Sequence, residues 1–290
     1  MQLPRDPRWL QIASLATLLV YGVLALDLEV RLGPAVVIVA SCLAFQWLGT
    51  RLAGLPRHDP KSALISALSL ALLLRTASPF WLLSVPLLTI GSKFVIRVRG
   101  RHVFNPTNVG LAAGMLLSDG VWVSPGQWGS IAITAFAAVC LGSVVVRRAE
   151  RSDVTWAFLA AWPGLLFVRA LWLGDPLTIP LHQVMNGALL IFAFFMISDP
   201  KTTPDSRAGR ILFACLVAGV AYGLRFVLFD SNALIWALAA CSPLVPLINL
   251  VLRGQRYEWP GAVPTKTAAT PGRVVAAGVG PSMTLTGGAP

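Results

Sequence analysis

The strongest constraint on this chain is a succession of long apolar runs, nearly free of charge, that follow one another from Trp9 to Leu252. Each is roughly 15–20 residues long, close to the length needed to cross a bilayer as a helix. In lipid every backbone polar group must be satisfied internally, so a spanning segment is a helix or part of a closed barrel. Apolar residues here are continuous rather than alternating, which selects helices. We place spans near residues 9–26, 34–50, 62–75, 79–96, 104–118, 127–146, 154–173, 183–198, 210–229 and 232–252. The expected fold is an all-α polytopic membrane protein with about ten transmembrane helices.

Composition excludes an ordinary soluble domain. Hydrophobic residues make up 56% and charged residues only 12%, against about 25% charged in soluble proteins. The net charge of +11 therefore reads as basic loops on one side of a membrane, and nucleic acid is not an expected partner. With the N-terminus inside, nineteen of the 23 Lys and Arg residues fall on inside segments, leaving only Arg31, Arg75, Arg169 and Arg225 outside. That asymmetry predicts a multi-pass protein of the inner (cytoplasmic) cell membrane with both termini cytoplasmic. The first run, Leu10 to Leu26, has no small-residue cleavage site after it and reads as a span, not a signal peptide. Cys42, Cys140, Cys215 and Cys241 each stand alone in an apolar run, so no metal or iron–sulfur site is expected. The transmembrane domain is expected over 1–254, with halves at roughly 9–118 and 127–252. Residues 255–290, rich in Gly, Ala, Thr and Pro, read as a disordered cytoplasmic tail.

Two spans, 62–75 and 104–118, are short, as broken helices that line a site often are. A weak internal repeat is visible. Residues 79–118 and 183–229 share an apolar span, a polar motif with Pro, and a helix of small residues. That alignment sets Asn105-Pro106-Thr107 opposite Asp199-Pro200-Lys201. Five spans plus five spans have opposite orientations, the arrangement of an inverted repeat with its site between the halves.

The residues with chemistry gather in these motifs. Asn105, Pro106 and Thr107 suit a helix start, where Asn caps and Pro loses nothing by lacking an N–H. Such a terminus, with Asn108 and the preceding Arg101 and His102, can also bind a polar or anionic ligand. Asp199 before Pro200 reads as a second helix N-cap, with Lys201 and Thr202 beside it. The run Lys93, Arg97, Arg99, Arg101, His102 places Lys93 and Arg97 one turn apart on a helix face. Its ordinary reading is anchoring at the cytoplasmic surface. His58, Asp59 and Lys61 read as a solvated loop. Nucleotide-binding, nucleophile-elbow and zinc-protease signatures are missing from the sequence, and no paired carboxylates lie within a span.

At these motifs the chain resembles the RnfD/NqrB family, the membrane subunits of the Rnf electron-transport complex and of the sodium-translocating NADH:quinone reductase. Gly100-Arg101-His102-Val103-Phe104-Asn105-Pro106-Thr107 looks like the family's G-[KR]-x-x-F-N-P-A segment. Phe194-Phe195-Met196-Ile197-Ser198-Asp199-Pro200-Lys201-Thr202, followed by Gly209-Arg210, looks like its second motif. The resemblance implies a urea-transporter-like inverted repeat and membrane electron transfer through flavins. It also implies a covalently attached FMN on a Thr between the fifth and sixth spans. Here Asp119-Gly120 is present in that loop but no Ala-Thr follows, and Ala269-Thr270 lies in the tail. No covalent FMN is therefore expected. Tracts at 123–129, 151–156 and 198–210 also resemble a short branch, UnbU, encoded with enediyne biosynthesis genes.

The leading expectation is an electron-transport membrane protein that binds a flavin (riboflavin or FMN) or a quinone non-covalently at Arg101, His102, Asn105, Thr107, Asn108, Asp199, Lys201 and Thr202. Expected partners are the lipid bilayer and either other membrane electron-transfer subunits or further copies of the chain. The alternatives are a small-solute channel of the same fold and an accessory membrane protein of natural-product biosynthesis.

Overall fold

A computed structural model describes residues 6–24, 31–55, 58–124, 144–147 and 150–257. The first part contains α1 (Pro7–Leu24), α2 (Leu32–Leu52), α3 (Lys61–Leu73), α4 (Pro79–Val95) and α5 (Pro106–Leu117). The second contains α6 (Ser152–Leu173), α7 (Thr178–Val184), α8 (Gly187–Ile191), α9 (Arg207–Phe226), α10 (Ala233–Cys241) and α11 (Val245–Val251). Residues 144–147 are helical, and the rest of the predicted sixth span lies outside the described residues. The predicted tail does so too, from residue 258 on.

Among the described residues, five stretches are long and apolar enough to cross a membrane: α1, α2, α6, α9, and α10 with α11. A sixth is a broken span, α7 and α8 with the π-helical turn Phe192–Met196, bent by 53°. α3, α4 and α5 are shorter. Large apolar side chains such as Leu24, Leu52, Trp172 and Leu173 stand exposed on the outside of the bundle. A water-soluble protein rarely exposes such a surface, and a lipid-facing one requires it.

The helices start where their sequences allow. Asn105 caps α5, its Oδ1 accepting from the Asn108 backbone N–H at 3.1 Å, with Pro106 in the first turn. Ser206 caps α9 by accepting from Gly209 N–H, and Asn186 caps α8 through Ala188 N–H. Asp199 caps no helix, contrary to expectation. It instead closes a turn: its Oδ1 accepts from Lys201 N–H at 3.0 Å and its carbonyl from Thr202 and Thr203 N–H. α9 begins eight residues later, because Pro204 and the capping Ser206 intervene.

Among the described residues, four strands of two or three residues accompany the helices. β1 (Leu74–Thr76) pairs antiparallel with β4 (Val121–Val123), so the predicted span 62–75 ends as extended chain. β2 (Arg97–Val98) pairs with β3 (Arg101–His102) around a two-residue turn, Arg99 and Gly100, with φ of +50° and +78°. α4 stops at Val95, so Arg97 does not share a helix face with Lys93 as the spacing predicted. A hairpin turn with two positive φ angles overrides the helical periodicity there.

Packing repeats in the two parts. α2 lies against α4 as α6 lies against α9, α4 against α5 as α9 against α10, and α5 meets α10. Small residues bring α4 and α5 together. A Cβ on Gly110 would sit 1.8 Å from Thr89 Oγ1, and one on Gly114 2.9 Å from Val85. In lipid such close backbone approach supplies the dispersion contacts that replace hydrophobic burial. Phe158, Phe192, Phe194 and Phe213 fill the centre.

Candidate functional site

The two motifs singled out in the sequence touch each other. From the β2–β3 hairpin the Arg101 guanidinium reaches across to the 199–206 loop. It donates to Asp205 Oδ1 at 2.7 Å, to the carbonyls of Lys201 and Pro200 at 3.1 Å each, and to that of Thr203 at 3.4 Å. Asn105 Nδ2 donates to the Met196 carbonyl at 3.3 Å and to Asp199 Oδ2 at 3.4 Å. His102 Nε2 stands 3.8 Å from the same Asp199 oxygen. Burial alone would raise the Asp199 carboxyl, but His102 and the Lys201 backbone N–H outweigh it and hold the group below the usual carboxylate range. We call this arrangement the clasp.

Six of the eight predicted site residues, Arg101, His102, Asn105, Thr107, Asp199 and Lys201, line one polar cavity of about 250 Å³ beside the clasp. Arg8, Gln11 and the α3 residues Ser62, Ser66 and Ser69 complete its wall. Two predicted residues do not reach it. Asn108 is fully buried and donates instead to the Ile235 carbonyl of α10 at 3.2 Å, leaving its Oδ1 without a partner among the described residues. Thr202 turns back to the Asp199 carbonyl at 3.4 Å. On α5 successive positions point in different directions, so a linear motif overstates how many of its side chains share one cavity.

Sequence reasoning missed the charged network around the clasp. Arg210 holds Asp153 with both carboxylate oxygens, at 2.6–2.8 Å. The buried Arg151 donates to Thr203 Oγ1 at 3.0 Å and stacks over the Tyr257 ring. Arg8 pairs with Asp6 and Asp59, and Lys61 with Asp6. Asp59, its side chain still 46% exposed in the 58–60 loop, and Lys61 thus join an ion-pair cluster. The signal was available: Asp6, Asp59, Asp153, Asp199 and Asp205 all stand on predicted inside segments rich in Lys and Arg. These contacts tie the N-terminal segment to 51–61 and the described parts of the other four predicted inside segments to one another, and the cavity lined by Arg8, Arg101 and Lys201 brings the two groups together. Arg169, predicted outside, pairs instead with Asp175 and lies over Phe226.

A second cavity, of about 290 Å³, lies between the two parts toward the end that carries the predicted outside segments. Trp162 and Phe192 wall it, Gln183, Asn186 and Asn232 bring amides, and Arg225 brings a guanidinium. Among the described residues no three His, Cys, Asp or Glu side chains gather as a metal would need.

Lipid-facing helices, packed in two similar sets and pinned together at one end by a charged clasp, define a polytopic membrane protein with its polar groups turned inward. Residues 115–258 match the family model described as the NQR2, RnfD, RnfE family. Over that stretch, about half of its length, the chain is similar to that family. The matched stretch includes the Phe194–Thr202 motif and Gly209-Arg210, while the Gly100–Thr107 segment precedes it. Among curated relatives, the chain is 30% identical over 146 residues to the D subunit of the ion-translocating oxidoreductase complex of Shewanella pealeana, covering 49% of this chain and 39% of that one. It is 35% identical over 77 residues to the corresponding protein of Stutzerimonas stutzeri, covering 27% of this chain and 22% of the relative. That of Tolumonas auensis is 31% identical over 78 residues, with the same coverage. The chain thus aligns with well under half the length of these relatives.

Proposed function

We propose that this chain is the membrane subunit of an ion-translocating oxidoreductase complex, built as two inverted halves of five spans each and held with the clasp on the cytoplasmic side. The observation that carries the reading is the cross-half clasp itself: Arg101, His102 and Asn105 of one half bonded to the 199–205 loop of the other, through the motifs that resemble the family. The repeated packing supports the halves but shifts their alignment by one span. α4 corresponds to α9 and α5 to α10, so the positional counterpart of Asn105 is Asn232, ahead of α10, and Asp199 falls opposite the β1 segment. The two Pro motifs meet without being symmetry mates. Basic residues gathered at the clasp end favour a cytoplasmic assignment for it.

The clasp does not fit a flavin. A tricyclic ring needs flat apolar or aromatic walls with a few polar groups at its edge. The clasp cavity is lined by cations, an Asp and serines, with Phe195 as its one large apolar aromatic side chain. Asn105 Nδ2 is already committed to Asp199, and the Arg101 guanidinium to Asp205 and the carbonyls of Pro200, Lys201 and Thr203. The second cavity fits better, because its lining combines the aromatic Trp162 and Phe192 with the amides of Gln183, Asn186 and Asn232. A flavin bound there would supply electron transfer. The chain's own part would be to bind and orient the ring, exclude water with Phe192 and Met196, and meet anionic charge with Arg225. Without an Ala-Thr after Asp119-Gly120, attachment would be non-covalent.

The test is the visible spectrum of the purified protein, reconstituted with riboflavin and FMN separately. Flavin uptake that survives Asn105→Ala but is lost in Trp162→Ala supports this placement. Uptake lost in Asn105→Ala and kept in Trp162→Ala returns the ligand to the clasp. No uptake of either flavin, by chain alone or with partner subunits, overturns the flavin reading. Failure to co-purify with any other membrane redox subunit from its own host overturns the complex.

A further inference from the structure

On the far side of the clasp from the polar cavity lies a cleft of about 240 Å³, between the β2–β3 hairpin and the start of α11. Its cations are Arg99, Arg101, Lys201 and Arg256, with His102 beside them, and its one carboxylate is Asp205, which Arg101 neutralises at 2.7 Å. Among the described residues neither Arg99 nor Arg256 has an ion-pair or hydrogen-bond partner. The positive φ of Arg99, unusual for a residue with a Cβ, sets it at the hairpin tip.

The cleft is held in shape. Asp205 N–H donates to Asn249 Oδ1 at 2.8 Å, and Gly254 packs so closely that a Cβ there would lie 2.5 Å from the Asp205 and Ser206 backbone. That contact fixes the path of the segment bearing Arg256. Apolar surface continues from the cleft on both sides. Val95 at the end of α4 is 82% exposed, and Leu247, Leu250 and Val251 of α11 are exposed as well. Val98, Val245 and Pro246 line the cleft itself.

A cationic recess flanked by lipid-facing helix ends matches one kind of ligand. We propose that this cleft binds the phosphate headgroup of an anionic phospholipid, with Arg99 and Arg256 on the phosphate and the acyl chains along α4 and α11. Basic pockets between spanning helices recognise anionic headgroups in this way. The shared chemistry, a phosphate group, could also come from a soluble compound, but the exposed apolar residues on both sides favour the lipid. The site uses neither aromatic cavity nor bound cofactor, so it stands or falls apart from the flavin reading.

The experiment titrates the detergent-solubilised full chain with a fluorescent phosphatidylglycerol and competes it with unlabelled lipids. Saturable binding should be displaced by phosphatidylglycerol and not by phosphatidylcholine. Arg99→Ala and Arg256→Ala should each weaken it about fivefold, as expected for one cation lost near a headgroup. Arg253→Ala, an exposed cation outside the cleft, should leave it unchanged. An equal loss in all three variants means diffuse surface charge and overturns the site. Displacement by inorganic phosphate at the concentration at which phosphatidylglycerol competes overturns the lipid source. Unaltered binding in both cleft variants overturns the proposal outright. All three residues are exposed, so folding is not at stake, and unchanged thermal unfolding verifies it.

Discussion

Replacing Arg101 with Met keeps a long flexible stem and removes the guanidinium. The structure allows the consequence to be sized. Arg101 and Asp205 pair at 2.7 Å with their side chains only 13% and 14% exposed. Three backbone carbonyls share the same guanidinium. Hydrogen bonds to a charged group are each worth about 1.5–3 kcal/mol, but bonds made by one side chain are not additive. Removing one partner of a mostly buried pair costs about 3–5 kcal/mol, chiefly by leaving the other charge unpaired. The residual exposure lets water reach Asp205, so we expect the low end, about 3 kcal/mol. Arg101→Met/Asp205→Asn should recover at least about 1 kcal/mol of that loss, the coupling expected of contacting residues. Arg101→Lys should behave nearly like Met, because an ammonium cannot span four acceptors placed for a planar fork. Unfolding by a denaturing detergent, followed by circular dichroism, measures each term. A loss under about 0.5 kcal/mol, with no coupling to Asp205, would refute the claim that this clasp ties the two parts together.

The Asp6 carboxyl gives a pH-dependent prediction. Burial raises it, but Arg8 and Lys61 outweigh that and hold it at about 2, against an ordinary 3.8. A depressed carboxylate stabilises the fold fully above 3.8 and loses that contribution as pH falls towards about 2. Acid unfolding should therefore steepen below pH 3.8 in the native chain, and Asp6→Asn should flatten that limb. Gly110→Ala should destabilise by about 1–3 kcal/mol through overpacking, and Thr89→Ala in the same chain should relieve part of it; equal stability with and without the second change would discount the α4–α5 contact. For orientation, a cysteine at Arg99 should react with an impermeant thiol reagent only from the cytoplasmic side and one at Phe229 only from the other, in a background without native cysteines. Labelling of both from one side would invert or collapse the proposed topology.

The helical and lipid-embedded character of this protein was legible in the sequence, because a bilayer offers no water to satisfy a backbone and so leaves little choice to a long apolar run. The grouping of the basic segments was legible in part: segments expected on one side are tied through Arg8–Asp59, Arg101–Asp205 and Arg210–Asp153. The helix start at Asn105 follows from local capping chemistry. What the sequence could not supply was the partner of each polar group. The Asp199 turn replaced a predicted cap because Lys201, Thr202 and Thr203 bond back to it before any helix can begin. Arg97 left its helix because the Arg99–Gly100 turn reverses the chain. Asn108 and Thr107 are neighbours in the motif, yet one faces α10 and the other the cavity, since a helix turns successive side chains apart. Arg101 finds Asp205 one hundred and four residues away, a distance no local pattern encodes. The sequence alone determined that this chain is a helical membrane protein, with most of its cations expected on one side. Only the tertiary structure decided that those cations close a clasp between two parts, with a polar cavity on one face of it and a basic cleft on the other.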